Sequence, residues 1–286
     1  MLLAGAAGLG AAARLPLWAD TGNACSLTPE LTVGPYYVDY ELMRRNIREG
    51  RPGVPLDLNL VILHARTCTP LAGAAVDVWH CDALGIYSSY TKMSPDSMGP
   101  PPGIDGYNGM PPPPPPGEDG MPPGPPPPGS PRGHAPQMKP TDQETFLRGV
   151  QLTDAHGVAE FATIYPGWYV SRDTHIHLKV HIGGSGAGKK YKGGHVCHVG
   201  QIAFSDEIND AVGKREPYVQ HKEARTRLNQ DTVFHGDLSE VMLKLSAKNA
   251  EDLTQGFIGT IAFYVDPDAD PGPEHFGGPG GPPPYS

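Results

Sequence analysis

The stretch with the most chemistry in this chain is TIYPGWYVSRDTHIHLKVHI, residues 163–182. It places His175, His177, Lys179 and His181 at alternate positions. Strand side chains alternate between two faces, so these four share one face and Ile176, Leu178, Val180 and Ile182 share the other. His175 and His177 then stand one pleat apart, near enough for both imidazoles to reach a single metal ion. Pro166-Gly167 reads as a tight turn, which carries Tyr169 toward the same point. A His-x-His pair alone is more often two hydrogen-bonded histidines than a metal site. Arg172 and a second tyrosine motif upstream shift the balance toward a metal.

That second motif is WHCDALGIYSSY, residues 79–90, in which Gly85 makes a turn and Tyr87 follows two residues later. A phenol ionises near pH ~10, so a strongly Lewis-acidic ion is needed to make it a ligand at neutral pH. Zinc and ferrous sites are generally served by imidazole, carboxylate or thiolate. Two phenolates and a hydroxide would instead balance Fe(III), keep it ferric and leave it open to a dianionic catecholate. Tyr90 is an alternative to Tyr87 but fits the register after Gly85 less well. Tyr165 and Trp79 read as core aromatics. His181, His195 and His198 read as surface residues or as lying behind the ligands. By themselves, Arg172 is a solvated turn residue and Gln201 a partner for backbone groups.

These residues need a scaffold, and the pattern around them is strand-like. Strands are expected over residues 56–63, 75–79, 148–153, 157–164, 174–182, 198–205 and 256–265, with Asp154-Ala155-His156-Gly157 as a hairpin-like turn. Many short strands with frequent Gly and Pro turns indicate an all-β chain, a β-sandwich with long irregular loops. Short helical turns are expected at Thr28-Pro29-Glu30 and within 41–49, one helix mixed with loop within 206–229, and a short helix or strand within 236–247.

The chain has 286 residues, and its hydrophobic share of 38% is low because 34 Pro and 37 Gly dilute it. They concentrate in residues 95–140, a solvated Pro/Gly-rich insertion, and in a tail, 266–286, expected to be disordered. The intervening 25–265 is expected to be the folded unit. A net charge of -9 and the absence of a basic stripe argue against nucleic-acid binding. Residues 1–24 form an apolar leader or linker. The run 1–19 has the length of a signal-peptide core and is interrupted by Arg14, which makes it a poor membrane span. It reads as a secretory leader lacking its first residues, implying a secreted or periplasmic protein. The alternative is an apolar start with no such role, in a cytoplasmic one. Cys25, Cys68, Cys81 and Cys197 would suit one or two disulfides, with all three connectivities open.

WHCDALGIYSSY, TIYPGWYVSRDTHIHLKV and HVGQIAF, with the segment TPELTVGPYY at residues 28–37, resemble the signature blocks of the intradiol ring-cleavage dioxygenases, the family of catechol and protocatechuate dioxygenases. The resemblance spans about residues 28–205 outside the insertion, with the blocks in the family's order. It implies a β-sandwich, an Fe(III) cofactor, a catecholic substrate and O2. It implies that Tyr87, Tyr169, His175 and His177 hold the iron and that Tyr169 leaves it when substrate binds. Arg172 would steady charge developing on the substrate, and Gln201 would line the same pocket. The short Tyr169–His175 loop, the missing helical dimerisation segment and the Pro-rich insertion depart from the well-known members. They are more like a secreted, single-domain branch and leave substrate size and oligomeric state open. Two rival classes are a non-catalytic β-sandwich binding module and a zinc or Fe(II) enzyme in which the tyrosines are bystanders.

Overall fold

The computed structural model of the chain describes residues 25–93 and 138–271. The expected leader, the insertion up to residue 137 and the tail beyond 271 lie outside these residues. Ten strands and one α-helix are described: β1 (Pro55–His64), β2 (Ala75–Trp79), β3 (Arg148–Leu152), β4 (Val158–Ile164), β5 (His175–Ile182), β6 (Ser185–Ala187), β7 (Lys190–Lys192), β8 (His195–Ala203), α1 (Asp206–Val212), β9 (Lys244–Ala247) and β10 (Phe257–Val265). The fold is therefore β-rich, as the strand pattern indicates. No described helix is long and apolar enough to cross a membrane.

The strands form two four-stranded sheets, ordered β4-β1-β10-β9 and β3-β2-β5-β8, and a β6-β7 hairpin. Sequence alternation sets which faces are buried. Leu56, Leu58 and Leu60 of β1 are buried, whereas Asp57 and Asn59 between them are half-exposed. In β5, Ile176, Leu178 and Val180 join a core cluster with Leu58, Leu60, Phe161, Phe257 and Phe263 from the other sheet. Removing each such side chain from water stabilises the fold by roughly 1.5–3 kcal/mol. The opposite face of β5 carries His175, His177 and Lys179, all buried as well. Here β5 lies between β2 and β8, with His177 opposite Trp79 on one side and Gln201 on the other. That register decides which side chains meet at the site.

Helix α1 starts where Ser205 caps Ile208 N–H and Asp206 and Glu207 complement the helix dipole. Two expected helical turns are absent. Thr28 bonds instead to the edge of β10, its N–H donating to Tyr264 O and its Oγ1 accepting from Tyr264 N–H. Residues 41–49 run as an arm across strand edges, with Met43, Arg44 and Ile47 N–H donating to Lys189, Val150 and Ala162 carbonyls. Their charged, helix-favouring composition loses to these long-range backbone bonds. Of residues 236–247, only Lys244–Ala247 is regular, as strand β9. The β6-β7 hairpin was not foreseen, because SGAGKKYK lacks apolar alternation. Cys25 and Cys68 form a disulfide, while Cys81 and Cys197 are buried free thiols.

Candidate metal centre

Three chain segments bring four donor side chains together. The first is the loop after β2, which carries Tyr87. Asp82 Oδ1 accepts from Leu84 and Ile86 N–H at 3.0 Å each, winding the loop tightly around Gly85. Arg148, buried in β3, clasps the loop by donating to Ser88 Oγ and Ser88 O, and reaches the arm at Tyr36 O. Tyr36 stacks on Tyr87 with ring centroids 4.5 Å apart.

The second segment is the turn after β4. Gly167 N–H donates to Asp82 O at 3.0 Å, so this turn rests directly on the Tyr87 loop. A Cβ at Gly167 would come within 2.5 Å of Ala83 O, and the close approach requires glycine. Tyr169 and Arg172 then close a tight turn, Arg172 N–H donating to Tyr169 O, with Ser171 in the left-handed region at φ 65°. The third segment is β5, with His175 and His177 on one face.

The four donors converge on His175 Nε2. Tyr87 Oη and Tyr169 Oη each lie 3.4 Å from it, and His177 Nε2 lies 3.1 Å from it. His175 Nδ1 is 2.6 Å from Asp173 O, and a carbonyl only accepts, so Nδ1 carries the proton and Nε2 presents a bare lone pair. Burial holds both imidazoles well below their ordinary pKa, so they are neutral donors at pH 7. Burial also pushes Tyr169 up to about 12 and Tyr87 well above its ordinary value. Without a cation both phenols stay protonated. With one, two phenolates and two imidazole lone pairs face a single point. The donor set fits a hard, highly charged metal ion, because only such an ion offsets the cost of ionising two buried phenols. Among the described residues no group of three His, Cys, Asp or Glu side chains could hold a metal. Here half of the donors are phenols.

Arg172 is buried beside this cluster. Its Nε donates to both Asp231 oxygens at 3.1 Å, and one Nη donates to Gln201 Oε1 at 2.5 Å. Gln201 donates in turn to Thr32 O at 2.6 Å. Thus all six residues singled out in the sequence, Tyr87, Tyr169, Arg172, His175, His177 and Gln201, lie in one buried region. Tyr90 turns away, donating to Met138 O at 2.9 Å. Tyr165 packs in the core and donates to Asn209 Oδ1. Trp79 stacks flat on His177, centroids 5.0 Å apart, and so supports a donor as well as filling the core. His195 is exposed and His181 half-buried; His198 is buried on the core face beside Phe263, not on the surface.

Solved structures carry the same fold. An intradiol ring-cleavage dioxygenase from Tetranychus urticae matches with a TM-score of 0.62 and 27% identity, over 85% of this chain and 96% of that one. A second dioxygenase matches with a TM-score of 0.60 and 26% identity, over 85% and 96%. The chain is a structural relative of the intradiol ring-cleavage dioxygenases. No family model matches the chain, and no curated protein matches it.

Four residues around this donor cluster were not legible as site residues: Tyr36, Arg148, Asp231 and Arg225, whose guanidinium donates to Asp173. Tyr36 lies in the segment TPELTVGPYY, to which no site role was given. Arg225 falls in the expected helix-and-loop region 206–229, Asp231 lies just beyond it, and Arg148 opens the expected strand 148–153.

Proposed function

We propose that the protein is a non-haem Fe(III)-dependent intradiol dioxygenase. It cleaves a catechol-type ring between its two hydroxyl-bearing carbons with O2, giving a muconate-type dicarboxylic acid. One carbon–carbon bond breaks, both atoms of O2 enter the product as the two new carboxyl groups are completed, and no external reductant is needed. The observation that carries this reading is the meeting of two phenols and two neutral imidazoles at His175 Nε2. Tyr87, Tyr169, His175 and His177 would hold the ion. Ferric iron, when bound, would ionise both phenols and draw electron density from a chelated catecholate ring.

The chain's own residues have separable roles. Tyr169 takes a proton from a substrate hydroxyl onto Oη. Arg172, a fixed cation, stabilises the ketonised, anionic form of the substrate. Gln201 braces the guanidinium and lines the pocket. The shared core of the two sheets supports a β-sandwich, with residues 25–265 as the catalytic unit. The Cys25–Cys68 disulfide supports folding in an oxidising compartment, hence a secreted or periplasmic protein. Thiol titration of the denatured, unreduced protein should then find two free thiols, Cys81 and Cys197.

Two phenolates on ferric iron absorb visible light by charge transfer. The purified protein should be burgundy and take up O2 with at least one member of a catechol panel. Tyr87→Phe and Tyr169→Phe should each weaken the charge-transfer band and shift its maximum, because one phenolate remains, while keeping most of the iron. A colourless, iron-free protein inert to every catechol rules the reading out.

A further inference from the structure

Asp231 follows a single 310 turn, Leu228–Gln230, and its side chain has 0% exposure. Its oxygens face only donors. Oδ2 accepts from Asp173 N–H at 2.6 Å and from Arg172 Nε at 3.1 Å. Oδ1 accepts from the same Nε at 3.1 Å, from Val233 N–H at 2.7 Å and from Phe234 N–H at 2.9 Å. An ionised carboxylate offers about four lone-pair sites, and four donor groups occupy them.

These contacts join elements that have no backbone continuity. One side grips Arg172 through its Nε. The other winds residues 231–234 into a cap that sets Phe234 near His175, centroids 6.3 Å apart, and under the guanidinium, 5.5 Å from its carbon. The bond to Asp173 N–H fixes the residue whose carbonyl holds His175 Nδ1. An amide could not replace this carboxylate. Its NH2 would face either Arg172 and Asp173 or Val233 and Phe234, donors in both cases.

We infer that Asp231 is a positioning residue for the ring-cleavage reaction: it clamps Arg172 against Gln201. The inference rests on the role given to Arg172 above. Asp231 touches neither substrate nor reacting atoms, and its effect passes through Arg172.

The test is a double-mutant cycle of Asp231→Asn with Arg172→Gln, read in two ways. In the iron-loaded protein, Asp231→Asn should lower kcat at least roughly tenfold, since a displaced charge-stabilising donor typically costs 10²–10³. KM for the catechol should change less than about threefold. Iron content and the charge-transfer band should persist. The double variant should be no slower than Arg172→Gln alone. Wild-type kcat in Asp231→Asn, or losses that multiply in the double variant, overturns the inference. If Asp231→Asn does not fold, Asp231→Glu carries the same expectations, because it keeps the charge and displaces the clamp. The second reading is the denaturant midpoint of the iron-free proteins, which does not depend on turnover. Non-additive shifts support the clamp and additive shifts overturn it. Absence of wild-type activity on all catechols, with non-additive shifts intact, would sink the ring-cleavage reading and leave the Asp231–Arg172 clamp standing.

Discussion

His175 is where the donors meet, and its surroundings permit little adjustment. Asp173 O fixes one ring nitrogen, and Trp79 fixes the plane of His177 beside it. Gly34 sets a limit on the far side of His177. It sits at φ +72°, and a Cβ there would lie 2.9 Å from His177 Cε1. Gly34→Ala should therefore cost about 1–2 kcal/mol from the left-handed backbone alone. It should also shift the imidazole and lower iron occupancy. Iron content per chain and thermal unfolding check both parts, and an unchanged iron content would separate Gly34 from the site. This constraint was invisible in the sequence, because it arises only where the segment holding Gly34 packs on His177 of β5.

At the level of elements, the donors come from two loops and one strand, and separate contacts hold each. Strand β5 was readable because one alternation served both its core face and its histidine face. The region 206–229 was readable as one helix mixed with loop, and α1 matches it, but its bracing of the segment before β5 was not. Arg225, 7% exposed at its side chain, donates to Asp173 at 2.7 Å, to Asp206 at 2.6 Å and to Asp210 at 2.8 Å. Burial raises Asp173 to about 6 even with this partner. Arg225→Met would leave a buried carboxylate unpaired and should destabilise the protein by about 3–5 kcal/mol. Denaturant unfolding at pH 7.5 measures this, and a loss under about 1 kcal/mol would show that α1 and Asn209 suffice to hold Asp173.

For the molecule as a whole, burial of neutral histidines on both sides of the sheets predicts acid sensitivity. His198 is held down to about 4 by burial alone. Between the unfolded value near ~6.5 and the folded one, the unfolded chain binds the extra proton, so His198 contributes stability fully above pH ~6.5 and loses it as pH falls toward ~4. Asp77, raised to about 7 mainly by burial, acts with the opposite sign, losing stability as pH rises through the same range. A single-site comparison isolates His198. Unfolding free energies of wild type and His198→Leu should diverge by up to about 3 kcal/mol between pH 6.5 and 4, wild type losing more. Parallel pH profiles would mean that His198 is solvated in the native state.

The sequence by itself determined the strand-rich class, most strand positions and the Pro and Gly turns, and it singled out six residues that lie together in one buried region. Those signals are local, since alternation and turn chemistry act over a few residues and the motif blocks are short. Tertiary structure alone decided the rest. It paired Cys25 with Cys68 and left Cys81 and Cys197 as free thiols, sent the 41–49 arm along strand edges, buried His198 in the core, and set Arg148 and Asp231 behind Tyr87 and Arg172. Each of these depends on which distant backbone or charge satisfies a buried polar group. No short stretch encodes that choice, because the partner lies tens of residues away and is fixed only when the sheets pack.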